Sequence, residues 1–296
     1  MSSDTIPIVF IHIGDAPPDY AAVAVLQARL WNPDAPIVFL SSVVGDYGVG
    51  EKWVPIADIP MTANHTKFRS STKLDASWRG GFWRSTTERL FILEDWMRWA
   101  GIAECIHMEN DNMLYRNISE LLPALRTSAG ISTTFQGQGS TLDQVRMCFS
   151  VLYCKSVDAL GNFLFTLAGR AEATDEMQRG GQYWVDNPEE CSVLPTAPAG
   201  VKLVSESFRA WYEDTQFPCL FDASAHGQFL GGEDPRNGPK GPGFVNLDTD
   251  FRTDQFLYGW RADTAGRRYP VLMDSRGQEW CIANLHIHCK RLADFI

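Results

Sequence analysis

The sequence predicts an α/β fold: a mixed sheet flanked by helices, in an α/β/α sandwich. Three observations carry that expectation. Residues 6–13 and 36–41 are near-continuous apolar runs, the pattern of strands covered on both faces. Residues 20–31 read as a helix between them, giving a βαβ unit of the kind that starts a nucleotide-binding half. Residues 103–108 read as a third, short buried strand that ends abruptly in Glu109-Asn110-Asp111-Asn112. Open α/β sheets place ligand chemistry at the carboxyl ends of such strands.

The elements follow in order. The first strand runs into Gly14-Asp15-Ala16-Pro17-Pro18-Asp19, a loop by composition, and Asn32-Pro33 stops the helix after it. No glycine-rich fingerprint surrounds Gly14, so a dinucleotide site there is weakly supported. Residues 42–81 read as a solvated excursion, punctuated by Trp53, Pro55 and Pro60 and locally basic through Lys67, Arg69, Lys73 and Arg79. Ser85-Thr86-Thr87-Glu88 matches a capping box, with a helix to Ala100 and Gly101 as its stop. Beyond Tyr115 the pattern gives a short helix at 118–125, strands at 129–135 and 147–154, and a loop at 136–142. A helix at 156–171 starts on Ser156 as N-cap. Residues 172–199 are polar and proline-bearing. Short strands are expected at 201–204 and 218–221, a small-residue helix at 222–232, a loop at 238–243 and a closing strand at 280–288.

Bulk properties narrow the function. With 296 residues the chain can bury a substantial core as one domain, residues 1–296. A net charge of −10 argues against a duplex nucleic-acid binder, which needs a basic footprint. An anionic substrate must therefore be met locally, by a metal or a few placed cations. The seven cysteines are scattered, with no CxxC pair, which predicts a reducing, cytoplasmic compartment without a disulfide framework. Residues 1–7 are polar and no apolar run approaches the ~20 residues of a membrane span, so neither leader nor span is expected. The sequons at Asn64 and Asn117 then count as chance.

Glu109 and Asp111 are two apart, so in extended backbone they project the same way. Two carboxylates at a strand end make an oxygen site suited to Mg²⁺ or Mn²⁺, which a diphosphate can share. A polar strand-to-turn exit accounts for the same residues, since Asn and Asp favour turns. His286 and His288 are likewise two apart. A lone HxH is a weak signal, but beside an acidic site either histidine becomes a credible third ligand, and Lys290 could meet a phosphate. Arg84 and Arg89 lie near the start of the helix that leads into the acidic strand, and Arg suits phosphate. For Arg84, simple surface charge explains it equally well.

This motif order resembles the GT-A class of nucleotide-sugar glycosyltransferases, including some from microbes and large viruses. The likeness rests on the βαβ start, the Thr87-Glu88-Arg89 helix, Glu109-Asn110-Asp111 in place of a DxD motif, the 222–237 run and the late His286-to-Lys290 segment. It departs in having Glu109, one methylene longer, at the first acidic position, and two late histidines. The resemblance implies a GT-A-like domain, with residues 1–115 as the nucleotide-sugar half and 116–296 as the acceptor half. It implies hexosyl or deoxyhexosyl transfer from a nucleotide-diphosphate sugar to a glycan or similar hydroxyl, with Mn²⁺ or Mg²⁺ as cofactor, in polysaccharide assembly. Glu109, Asp111, His286 and His288 would be the metal candidates. Ile11, His12, Gly14, Ser41, Ser42, Arg89, Asn110 and Lys290 would bind the donor. Asp234 or Asp222 would be the base of an inverting reaction. Peripheral membrane contact stays open. A metal-dependent nucleotidyltransferase, a hydrolase and a non-enzymatic carbohydrate-binding protein are the alternatives.

Overall fold

A computed structural model describes residues 5–43, 52–137, 144–169, 175–201, 217–234 and 238–296. The fold is a seven-stranded mixed sheet flanked by helices, the α/β class that the apolar runs predict. Its opening is the expected unit: β1 (Ile8–His12), α1 (Asp19–Trp31) and β2 (Ile37–Ser41). β1 and β2 pair in parallel, His12 beside Ser41, and β3 (Lys52–Pro55) extends the parallel edge. The α1 face turned inward is Ala21, Ala24, Val25, Ala28 and Trp31, whereas Leu26 and Leu30 are exposed. Small residues allow the helix to lie close against the protein.

Within the region read as a solvated excursion, the described residues 52–81 are built instead. Besides β3 it carries α2 (Ala63–Ser71), capped by the Thr62 hydroxyl, which accepts the His65 N–H at 3.3 Å. Its basic residues are partly spoken for: Arg69 donates to Glu88, and Lys67 lies over the Phe165 ring. α3 (Phe82–Ala100) begins three residues before the expected capping box, from the left-handed Gly81, so Ser85 lies inside the helix. Gly101 ends it in the left-handed conformation expected of a glycine stop.

α3 leads within a few residues into β4 (Cys105–Met108), which pairs in parallel with the other flank of β1. Right-handed crossovers to opposite flanks of β1 put α1 and α3 on opposite faces of the sheet. β5 (Asn112–Leu114) leaves the main sheet, and α4 (Ile118–Leu125) follows on the Asn117 cap. β6 (Ile131–Phe135) and β7 (Met147–Cys154) complete the antiparallel part, β7 lying between β4 and β6. α5 (Val157–Ala168) starts on the Ser156 cap.

The polar stretch 172–199 hides α6 (Glu176–Asp186) and β8 (Cys191–Leu194), which closes the sheet beside β6. The strand expected at 201–204 lies mostly outside the described residues, as do Arg236, Asn237 and most of the 136–142 loop. Of the 218–221 strand, one bridge remains, Leu220 to Ile282. α7 (Ala225–Gly231) is the small-residue helix, followed by β9 (Glu233–Asp234) and β10 (Gly238–Pro239). An antiparallel meander that was not foreseen follows: β11 (Leu257–Ala262), β12 (Arg268–Met273) and β13 (Glu279–Cys281). The expected closing strand is split, so β14 (Asn284–His286) pairs with β5 rather than continuing β13. No helix among the described residues is long and apolar enough to cross a membrane.

Candidate active site

The parallel strands β2, β1 and β4 end side by side, which gathers Ser41, His12 and the 109–112 segment at one edge. Glu109 and Asp111 do converge, but through a turn and not along extended backbone. The Asn112 N–H donates to the Glu109 carbonyl at 3.1 Å, and the Glu109 N–H donates to Ser150 at 2.9 Å. Asn112 also donates its side-chain amide to the Ser150 carbonyl at 3.0 Å. That carbonyl faces β4 and continues the β4–β7 ladder one step past the Met108–Val151 pair; on the other side of β7 the β6 register shifts between Thr133 and Thr134. The Thr133 and Thr134 hydroxyls donate to carbonyls of β7 at the irregularity, at 2.6 to 2.9 Å.

β14 brings the late histidine to this turn. His286 stands opposite Asn112, and the Ile287 N–H donates to the Asp111 carbonyl at 2.9 Å. His286 Nε2 lies 3.1 Å from Glu109 Oε2 and 3.3 Å from Asp111 Oδ2. One ligand atom each from Glu109, Asp111 and His286 falls within 4.8 Å of the others. His288 is outside this cluster. Its ring packs edge-on against His286, with centroids 4.3 Å apart, and its Nδ1 lies 3.4 Å from Gln228 Nε2. Burial and the neighbouring His286 push its pKa down to about 3, so it is a neutral wall of the site.

Two cations complete the charge balance. Lys290 pairs with Asp111 and Arg89 with Glu109. Arg89 is buried and also lies 3.8 Å from Glu176, whose carboxylate accepts the Thr87 hydroxyl at 2.7 Å. Burial pushes Glu109 and Asp111 upward, but the cations and His286 hold both below the usual carboxylate range. His286 is pushed down by burial, yet the two carboxylates raise it well above an ordinary histidine. Burial raises Glu176 to about 7 despite Arg89.

The other expected donor residues line the same edge. The Asn110 amide donates to the Ile11 carbonyl at 3.1 Å. The left-handed Gly14 donates its N–H to the Ser42 hydroxyl at 2.8 Å, and the Ser41 hydroxyl accepts the Val43 N–H at 3.2 Å. His12 Nε2 contacts the Asp15 carbonyl at 2.7 Å. Arg84 lies 3.9 Å from Glu88.

The two base candidates differ. Asp222 is fully buried, and its carboxylate accepts three backbone N–H groups, from His226 at 2.9 Å, Gly227 at 2.7 Å and His286 at 2.9 Å. With its oxygens taken by main-chain donors, Asp222 clamps α7 to β14, a structural use that its sequence position did not reveal. Asp234 is buried on β9, just past the left-handed Gly232 that ends α7. Glu176 escaped the sequence reading because α6 is polar and contains Gly180-Gly181.

No protein-family model and no curated protein matches the sequence. Among solved structures, the apo form of mouse xyloside xylosyltransferase 1 is similar over 64% of this chain and 85% of its own, at 11% identity and a TM-score of 0.44. Galactosyltransferase LgtC, in complex with donor and acceptor sugar analogues, is similar over 62% and 72%, at 12% identity and a TM-score of 0.37. An active-site mutant of LgtC is similar over 72% and 84%, at 12% identity and a TM-score of 0.46. None of the three likenesses carries the functional reading, which rests on the residues of the site itself.

Proposed function

We propose that this chain is a glycosyltransferase that moves a hexosyl or deoxyhexosyl group from a nucleotide-diphosphate sugar to a glycan hydroxyl. The observation that carries the reading is the Glu109–Asp111–His286 cluster at the carboxyl edge of β1, β2 and β4, with Arg89 and Lys290 beside it. Two carboxylate oxygens and one imidazole nitrogen are a donor set that fits Mn²⁺ or Mg²⁺. Such an ion, when bound, supplies positive charge against the departing diphosphate.

The chain's own groups do the rest. His286 offers Nε2 once it is unprotonated, and the Asp222 clamp on its backbone fixes where the ring stands. Lys290 has a half-exposed side chain, so its ammonium can turn from Asp111 to a phosphate oxygen. Arg89 is held between Glu109 and Glu176 and orients Glu109. Ile11, His12, Gly14, Ser41, Ser42 and Asn110 form the floor for the nucleoside. We assign the base of an inverting transfer to Asp234, the carboxylate that follows the glycine pair at the end of α7. The acceptor oxygen attacks the anomeric carbon, its proton passes to Asp234, and the bond to the diphosphate oxygen breaks. We place the reaction in cytoplasmic polysaccharide assembly, a setting that suits seven unpaired thiols.

The test is incubation with a panel of UDP-, GDP- and dTDP-sugars with Mn²⁺ or with chelator. One donor should turn over only with metal, and Asp111→Asn should abolish that turnover while the melting curve is retained. Unaltered turnover in Asp111→Asn would remove the site from the reaction. Asp234→Ala should bind donor with wild-type affinity and lose transfer by a factor of about 10² or more; full transfer would place the base elsewhere.

A further inference from the structure

α3 runs antiparallel to β4, because its carboxyl end connects directly to the start of that strand. Its amino end therefore projects past the edge where Glu109 and Asp111 sit. Three aromatic rings are collected there. Trp78 and Trp83 stack with centroids 6.1 Å apart and planes 8° from parallel. Phe82 meets both edge-on, at 6.2 and 5.1 Å. Trp78 is 44% exposed and Phe82 41%, although burying aromatic area is the usual gain. The backbone is shaped for this arrangement: Arg79, Gly80 and Gly81 are consecutive left-handed residues, which return the chain so that Trp78 covers Trp83. A Cβ on Gly81 would meet the Ala76 carbonyl oxygen at 3.1 Å.

Polar groups accompany the rings. The Arg79 guanidinium lies over both Trp78 and Phe82, at 5.4 and 5.3 Å. Arg146 lies 5.9 Å from the Trp83 ring and pairs with Asp175 at 3.2 Å. Glu176 follows Asp175 in the chain and reaches Arg89, which holds Glu109. Contacts thus run without a break from the rings to the acidic cluster. Trp83 and Arg89 are six residues apart, roughly 9 Å along the helix axis at 1.5 Å per residue.

We infer that Trp78, Phe82 and Trp83, with Arg79, form a platform on which the saccharide acceptor stacks, rests beside the donor and presents its hydroxyl. This inference rests on the glycosyltransferase reading and adds to it the place where the acceptor binds. A sugar ring has one face of C–H groups and a rim of hydroxyls. The exposed ring faces suit the first and the guanidinium suits the second. A lipid surface or an apolar protein would gain nothing from continuity with the acidic cluster, whereas an acceptor requires it.

The test uses the full chain on a printed array of hexose-, pentose- and deoxyhexose-containing oligosaccharides, with phosphatidylcholine/phosphatidylglycerol vesicles as a second arm. Wild type should bind a subset of the glycans. Trp78→Ala and Phe82→Ala, both in exposed positions and checked for folding by circular dichroism, should each weaken that binding roughly three- to tenfold. Wild type binding no glycan, glycan binding unchanged in both folded variants, or losses confined to vesicle binding would each overturn the platform. Calorimetry of wild type with the nucleotide sugars and Mn²⁺ tests the donor reading separately. A bound donor with unaltered glycan binding in the variants sinks the platform alone, and no bound donor sinks the functional reading.

Discussion

At the scale of single residues, the site depends on close approach as much as on charge. α7 touches β14 through Gly227, where a Cβ would lie 2.0 Å from the His286 carbonyl oxygen and 2.9 Å from Asp222 Oδ2. Gly227→Ala should therefore move His286 away from Glu109 and Asp111. We expect a stability loss of about 1–3 kcal/mol, as for overpacked cores, together with weakened Mn²⁺ binding. Urea titration and calorimetry check both, and an unchanged variant would mean that α7 does not position the histidine. The chemistry of Glu109, Asp111, His286 and Lys290 was legible in the sequence because acidic and basic types stand out against apolar strands. Their convergence was not, since it depends on a turn held by Ser150 and on a pairing between β5 and β14. The role of Asp222 was hidden for a related reason: an aspartate that caps main-chain N–H groups looks in sequence like one that takes a proton.

At the scale of elements, α2 and α3 are joined by a buried ionic cluster. His65 contacts Asp95 at 2.5 Å and Glu88 at 3.1 Å, with Arg69 on the same Glu88 oxygen. Burial lowers the His65 pKa, but hydrogen bonds to Asp95 and Glu88 outweigh it and raise the group above its ordinary value. The cluster's contribution should thus be complete below about pH 6.5, the unfolded value, and be lost as pH rises through the higher folded value. Glu88 is pushed up by burial yet held low by His65 and Arg69, so a second loss is expected in acid. Urea midpoints of wild type should fall between neutral and alkaline pH, and His65→Gln should lack that fall. Parallel pH profiles for the two proteins would contradict it. None of this was visible while residues 42–81 read as solvated. Charge and proline masked an edge strand and a helix whose inward residues, such as His65 and Phe68, are too few to make a period. α6 was masked likewise, because Gly180 and Gly181 depress helix propensity. They are needed where the helix lies on β7: a Cβ on Gly181 would meet the Val145 oxygen at 2.0 Å, and one on Gly180 would meet the Phe149 ring at 2.6 Å.

At the scale of the whole molecule, the parallel strands gather Ser41, His12 and the acidic turn at one edge, and the C-terminal segment returns to that edge. Long apolar strands and the βαβ unit made the sheet legible from sequence, because a strand covered on both faces needs continuous apolar residues. The return of β14 was not legible, since a three-residue strand leaves no periodic trace. Tyr115 donates its hydroxyl to the Phe295 carbonyl at 2.8 Å, and Asn284 donates to Asn112 at 2.9 Å, so the C-terminus is tied into the acidic turn. The most direct measurement of the central claim is anomalous diffraction from crystals soaked in Mn²⁺ and a nucleotide sugar. The account predicts one manganese peak within about 2.5 Å of Glu109, Asp111 and His286, shared with the diphosphate. Donor density at the β1–β2–β4 edge with no peak there, and with Lys290 still on Asp111 and Arg89 on Glu109, would contradict it.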